Sequence, residues 1–135
     1  MCIKKVVIDS GIKEVTSSSF SGCPNLEEVV LASTVEKIGE HAFSWCPELK
    51  RVSWGDGITY IGYAAFSQCK QIDKVYFPKG LKKIGSDAFG FCRKMTNISI
   101  PATVKEIGEN AFRCCDSITE MTIPDGITII PKDLF

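Results

Sequence analysis

Residues 100–124 read IPATVKEIGENAFRCCDSITEMTIP, and this stretch decides the architecture. Its spacing of apolar, glycine, alanine, phenylalanine and cysteine positions recurs upstream in unbroken steps of 23 residues. Phe20, Phe43, Phe66, Phe89, Phe112 and Phe135 form one column. Cys23, Cys46, Cys69, Cys92 and Cys115 form another. Further columns run Leu26, Leu49, Ile72, Met95, Ile118, then Val6, Val29, Val52, Val75, Ile98, Met121, then Ile8, Leu31, Trp54, Phe77, Ile100, Ile123. Two more begin at Ile12 and Val15 and end at Ile127 and Ile130. No insertion interrupts them. A fixed period of this length marks a solenoid, in which one unit cannot bury its apolar face alone and stacked units share a continuous core.

Within a unit, Val75-Tyr76-Phe77 alternates in and out, the period-two pattern of a strand with one face inward. Pro78, Pro101 and Pro124 then stop the ladder, because proline offers no N–H. Asp56-Gly57, Lys79-Gly80 and Asp125-Gly126 are turn dipeptides. An apolar pair spaced by three follows, as in Val104 and Ile107. Gly39, Gly62, Gly85 and Gly108 mark a bend, expected to need a backbone conformation open to glycine. The segment 109–115 is expected to form about one helical turn, with Ala42, Ala65, Ala88 and Ala111 letting neighbouring backbones approach.

The run Ile100-Pro101-x-x-Val104-x-x-Ile107-Gly108-x-x-Ala111-Phe112-x-x-Cys115-x-x-Ile118-x-x-Met121-x-Ile123-Pro124 resembles the BspA-like, or treponemal-class, leucine-rich repeats. The resemblance covers essentially the whole chain. It implies a repeat solenoid: a leucine-rich-repeat right-handed superhelix of 23-residue units, with a parallel β-sheet on the concave face and short helical turns opposite. It also implies a cell-surface or secreted protein, engaged in adhesion to a protein or a glycan, and it carries over no catalytic residue. The first unit is degenerate, with Thr16 in the glycine column and Ser19 in the alanine column. Residues 1–135 are accordingly expected to be a single leucine-rich-repeat domain of about five to six units, a segment of a longer array or a unit that associates end to end or edge to edge.

Charge narrows the choice of partner. Sixteen Lys+Arg balance 16 Asp+Glu, giving zero formal net charge, and the signs are interspersed. Nothing favours nucleic acid, and no apolar stretch approaches spanning length, so membrane insertion is not expected. The start, from Met1 to Asp9, is too soon interrupted for a secretory signal and already belongs to a repeat. The chain is thus expected to be either intracellular or a piece of a longer exported protein; the resemblance implies the cell surface or secretion, with a cytoplasmic location as the alternative.

The seven cysteines invite a metal or disulfide reading. No C-x-x-C pair is present, and five cysteines follow the repeat, where they serve as small buried hydrophobes with weak hydrogen bonds to backbone. Cys2 and Cys114 stand outside that column. His41, the one histidine, falls in a column with Ala64, Asp87, Asn110 and Asp133 that reads as solvent-exposed, with no orienting partner for catalysis. Carboxylates such as Glu28, Asp56 and Glu120 are spread singly. The sequence contains no phosphate-binding loop and no nucleophile elbow, so neither an enzyme nor a cofactor is expected. Asn97-Ile98-Ser99 fits a glycosylation sequon, meaningful only in a eukaryotic secretory context.

Binding is expected on the outward strand residues. These form two varied columns, Lys5, Glu28, Arg51, Lys74, Asn97, Glu120 and Val7, Val30, Ser53, Tyr76, Ser99, Thr122. The candidate site is Arg51, Ser53, Lys74 and Tyr76, extended by Asn97 and Ser99. A weaker candidate is the column with Trp45 and Phe91, just before the repeating cysteines. The competing function is a structural spacer array with no ligand of its own.

Overall fold

The computed structural model describes residues 3–135, so Cys2 lies outside the described residues. Strands β1 (Lys5–Ile8), β3 (Glu28–Leu31) and β5 (Arg51–Ser53) pair in parallel in the order β1-β3-β5. Lys5 lies opposite Glu28 and Val6 opposite Val29, and Glu28 in turn faces Arg51. A slip of one residue would turn the buried Val29 outward and bring Glu28 into the core, which is why the register is fixed.

A second parallel sheet follows the turn. It is built from β2 (Glu14–Val15), β4 (Lys37–Ile38), β6 (Tyr60–Ile61), β7 (Lys83–Ile84) and β8 (Glu106–Ile107), side by side in that order. Each strand has one buried residue, Val15, Ile38, Ile61, Ile84 or Ile107. Two residues are too few to show an alternating pattern, and the sequence therefore displays only an apolar pair here.

The first sheet is shorter than the repeat predicts. Val75, Ile98 and Ile100 are buried as expected, yet residues 74–77, 97–100 and 120–123 form no strand. Pairing ends where Trp54 and Phe77 replace the aliphatic Ile8 and Leu31 in their column. Their rings stand edge-on against Phe66 and Phe89, with centroids 5.4 and 5.5 Å apart. We attribute the opening to this bulk. Further along, the Asn97 side chain stands in for a backbone acceptor. Its Oδ1 accepts the N–H of Thr119 at 2.8 Å and of Glu120 at 3.3 Å. In the paired coils, Glu27 and Glu28 at those positions donate to the carbonyl of Lys4 instead.

The expected helical turn is also corrected. The segment between the glycine and cysteine columns is a chain of tight turns. Ser18, His41, Ala64, Asp87, Asn110 and Asp133 all have φ between 49° and 59°. Four residues beyond, Gly22, Trp45, Gln68, Phe91 and Cys114 are left-handed too, with φ between 55° and 71°. A right-handed helix tolerates no left-handed residue at every fourth place. Instead, His41, Phe43 and Trp45 each donate at 2.8 Å to a carbonyl of the next coil, those of Tyr63, Ala65 and Ser67. The intervening Ala42 and Ser44 donate back to Gly39 and His41. Consecutive amides thus alternate between the next coil and the local turn, which satisfies them without a helix.

The glycine column is needed for room, since its φ values are not left-handed. A Cβ on Gly85 would meet Gly62 C at 2.7 Å, and one on Gly108 would meet Ser86 N at 2.2 Å. Thr16 fits in the same column because no described coil lies beneath it, and its side chain is exposed.

The core is a set of ladders. Phe43, Phe66, Phe89 and Phe112 are fully buried, their rings stacked nearly parallel at 5.3–5.8 Å. Ala42, Ala65, Ala88 and Ala111 are fully buried beside them. At the ends the columns come to the surface: Ile12 and Ile130 are exposed, and Phe135 stacks on Phe112 at a looser 6.4 Å.

Candidate binding surface

The six sequence-predicted site residues all lie on the strand side, and all are exposed. They do not form one pocket. Ser53 and Tyr76 line a cavity of about 530 Å³ together with Val52, Trp54, Asp56, Phe77, Pro78 and Lys79. Arg51 lines a neighbouring cavity of about 410 Å³ with Lys50, Gln71, Asp73 and Lys94. Asn97 and Ser99 line a third, of about 280 Å³, with Ile98, Glu120, Met121 and Thr122. Lys74 stands outside these hollows.

Their electrostatics differ. Arg51 sits 3.5 Å from the Glu28 carboxylate, which also lies 3.8 Å from Lys5. These exposed pairs contribute little to stability but hold the arginine in place. Asn97 is committed to the neighbouring coil, as described above. Tyr76 is 77% exposed, the most open aromatic ring on this face. The polar groups beside it, Asp56 and Lys79, come from turn residues. The sequence marks them only as turn formers, and it marks Trp54 only as a core position. The signal for Asp56 and Lys79 is their shared column position after the strand, which puts two consecutive turns on one rim.

The turn side differs from the expectation. The column of His41 is set by left-handed backbone and not by exposure: Ala64 is buried, and His41 is half-buried with its ring edge-on to Tyr63 at 5.1 Å. His, Asn and Asp recur there because they tolerate that conformation better than most side chains. Trp45 is 59% exposed. Phe91 is half-buried, with the Arg93 and Arg113 guanidinium groups 5.6 and 5.7 Å from its ring. Trp45 and Phe91 are therefore two separate features, with Gln68 between them in the column.

The buried cysteines face carbonyls. Cys46, Cys69, Cys92 and Cys115 donate through sulfur to Phe20, Phe43, Phe66 and Phe89 at 3.1–3.3 Å. Burial holds the Cys69 and Cys92 thiols well above their ordinary range, and pushes Cys115 up to about 12. Such thiols are poor nucleophiles. Among the described residues, no three His, Cys, Asp or Glu are grouped to hold a metal ion, and no helix is long and apolar enough to cross a membrane.

Comparison with known proteins gives a consistent picture. The model for the BspA type leucine rich repeat region matches residues 13–135 in 6 copies. No curated protein matches the sequence. Among solved structures, the chain is similar to the leucine rich repeat protein of T. pallidum, with 37% identity and a TM-score of 0.94 over 97% of this chain. It spans 64% of the length of that protein. A leucine rich cell surface protein of Faecalibacterium prausnitzii A2-165 is 26% identical with a TM-score of 0.82, over 95% of this chain and 33% of its own. A leucine-rich repeat protein of Bacteroides ovatus is 26% identical with a TM-score of 0.74, over 92% of this chain and 38% of its own. None of these relatives is described as an enzyme.

Proposed function

This chain belongs to the BspA-type leucine-rich-repeat family, and from that premise we propose that it is an interaction module of a cell-surface or secreted protein. It engages another protein or a glycan through the outward side chains of its strand side. It performs no catalysis, and residues 1–135 act as one domain of a longer array.

The observation that carries this reading is the contrast between columns. The inward columns stay apolar in every coil, whereas the two outward ones change size and charge from coil to coil. A surface of that kind offers Arg51, Ser53, Lys74 and Tyr76 as a central patch, continued by Asn97 and Ser99. Arginine and tyrosine are enriched among residues that dominate binding energy. The cell-surface relative in F. prausnitzii supports the location. The balanced charge also suits a spacer array without a ligand of its own.

The test immobilises the protein and presents extracellular-matrix proteins, cell-surface glycans and intact cells, with the Lys74→Glu/Tyr76→Ala variant in parallel. Binding that the variant loses supports the reading. Binding that it keeps moves the site elsewhere, with Trp45 next in line. No binding to anything supports the spacer.

A further inference from the structure

The strand side opens between the coil of Phe66 and the coil of Phe89. Strand β5 pairs with β3 on one side. On its other side, among the described residues, no backbone hydrogen bond joins residues 50–54 to residues 73–78. The cavity of about 530 Å³ lies at this opening.

Three features of its wall bear on what it can hold. The Tyr76 ring is 77% exposed. Among the described residues, the side chains of Ser53, Asp56, Tyr76 and Lys79 make no hydrogen bond or ion pair. The indole N–H of Trp54 is buried and has no acceptor, a condition that costs about 1–3 kcal/mol when it is left uncorrected.

We propose that this cavity binds a neutral hexopyranose residue of a glycan. The inference rests on the interaction reading above and narrows it to one ligand chemistry. A pyranose ring presents an apolar C–H face, which suits the open Tyr76 ring, and a rim of hydroxyls. The Asp56 carboxylate accepts from those hydroxyls, and Lys79 and Ser53 donate to them. The opposite charges of Asp56 and Lys79 cancel, so the wall suits an uncharged sugar better than a sulfated or sialylated one. Trp54 lines the same wall, so its buried N–H gains a sugar oxygen as acceptor only if the indole turns toward the cavity. The volume falls within the range of small-ligand sites, about 300–1,000 Å³.

The protein has two tryptophans, so Trp45→Phe leaves Trp54 as the sole reporter. The full chain with this change is titrated with maltotetraose, cellotetraose, mannotetraose and a heparin tetrasaccharide. Indole emission and the indole N–H cross-peak are followed. The expected result is a saturable shift with at least one neutral tetrasaccharide and none with heparin. Tyr76→Ala weakens it by about tenfold or more, while Tyr76→Phe keeps it. Tyr76 is exposed, so both variants fold. No shift with any neutral sugar, a shift with heparin alone, or a shift that survives Tyr76→Ala overturns the proposal. If no sugar shifts the reporter but a protein partner is captured through Lys74 and Tyr76, the glycan inference fails and the interaction reading stands.

Discussion

The thiol of Cys92 donates to the carbonyl oxygen of Phe66 at 3.2 Å. The Phe66 N–H in turn donates to Ala88 at 2.8 Å. Both backbone groups of one core phenylalanine are thus held by the next coil, one through main chain and one through sulfur. Phe20, Phe43 and Phe89 repeat the arrangement with Cys46, Cys69 and Cys115. Cysteine suits this column because it is a small apolar side chain that still carries a donor.

Cys92→Ala therefore removes more than volume, since it leaves the Phe66 carbonyl with the Cys69 N–H, 3.2 Å away, as its remaining donor. The expected loss is about 0.5–1.5 kcal/mol, read from urea unfolding. A neutral effect would mean that the sulfur contact carries no energy.

Phe66→Ala opens a cavity that the flanking rings of Phe43 and Phe89, stacked at 5.3 and 5.4 Å, cannot fill. The cost expected from denaturant unfolding is about 3–5 kcal/mol. Phe135→Ala, at a position already 59% exposed, is expected to cost about 1 kcal/mol or less. Equal losses at the two positions would contradict the stacked-core account.

Trp45 holds a left-handed backbone at φ 56°, in a column where Gly22 sits at φ 71°. Its side chain is largely in solvent, so it gains little in return. Trp45→Gly is expected to stabilise the protein by about 0.5–1 kcal/mol by relieving that backbone. Thermal unfolding of the two proteins decides it, and destabilisation would show that the indole packs usefully.

The buried thiols set an alkaline limit. Burial weakens the acidity of three of them, pushing Cys115 from an ordinary 9.0 up to about 12 and holding Cys69 and Cys92 well above their ordinary range. The folded state then keeps protons that the unfolded chain has already released. The stability they contribute is full below about pH 9 and falls as pH rises toward about 12. Urea midpoints measured across that range should drop steadily, without a rise at any step. In the same samples at neutral pH, a thiol reagent should modify the half-buried Cys114 well before Cys69 or Cys92.

Much of this fold is legible in the sequence because its core is periodic. Phe20 to Phe135 and Cys23 to Cys115 fix both the repeat length and the register, and Pro78 with Lys79-Gly80 marks where the chain turns. The errors lie where two different constraints leave the same residue. Gly85 is glycine for lack of space, yet a glycine demanded by positive φ looks identical in sequence. The left-handed positions are instead held by His41, Asp87 and Asn110, whose polarity resembles simple exposure. The first sheet ends at the coil where Trp54 and Phe77 enter, and their column reads only as apolar in sequence. Of the candidate surface, Ser53 and Tyr76 are legible from strand alternation. Asp56 and Lys79 are hidden among turn residues, because their shared rim appears only once coils are stacked.

The central claim is that the strand face binds a partner. The most direct measurement is binding of the immobilised protein to matrix proteins, glycans and cells, compared with its Lys74→Glu/Tyr76→Ala variant. The account predicts a bound partner and a loss of about tenfold or more in the variant. A partner bound equally well by both proteins would contradict it.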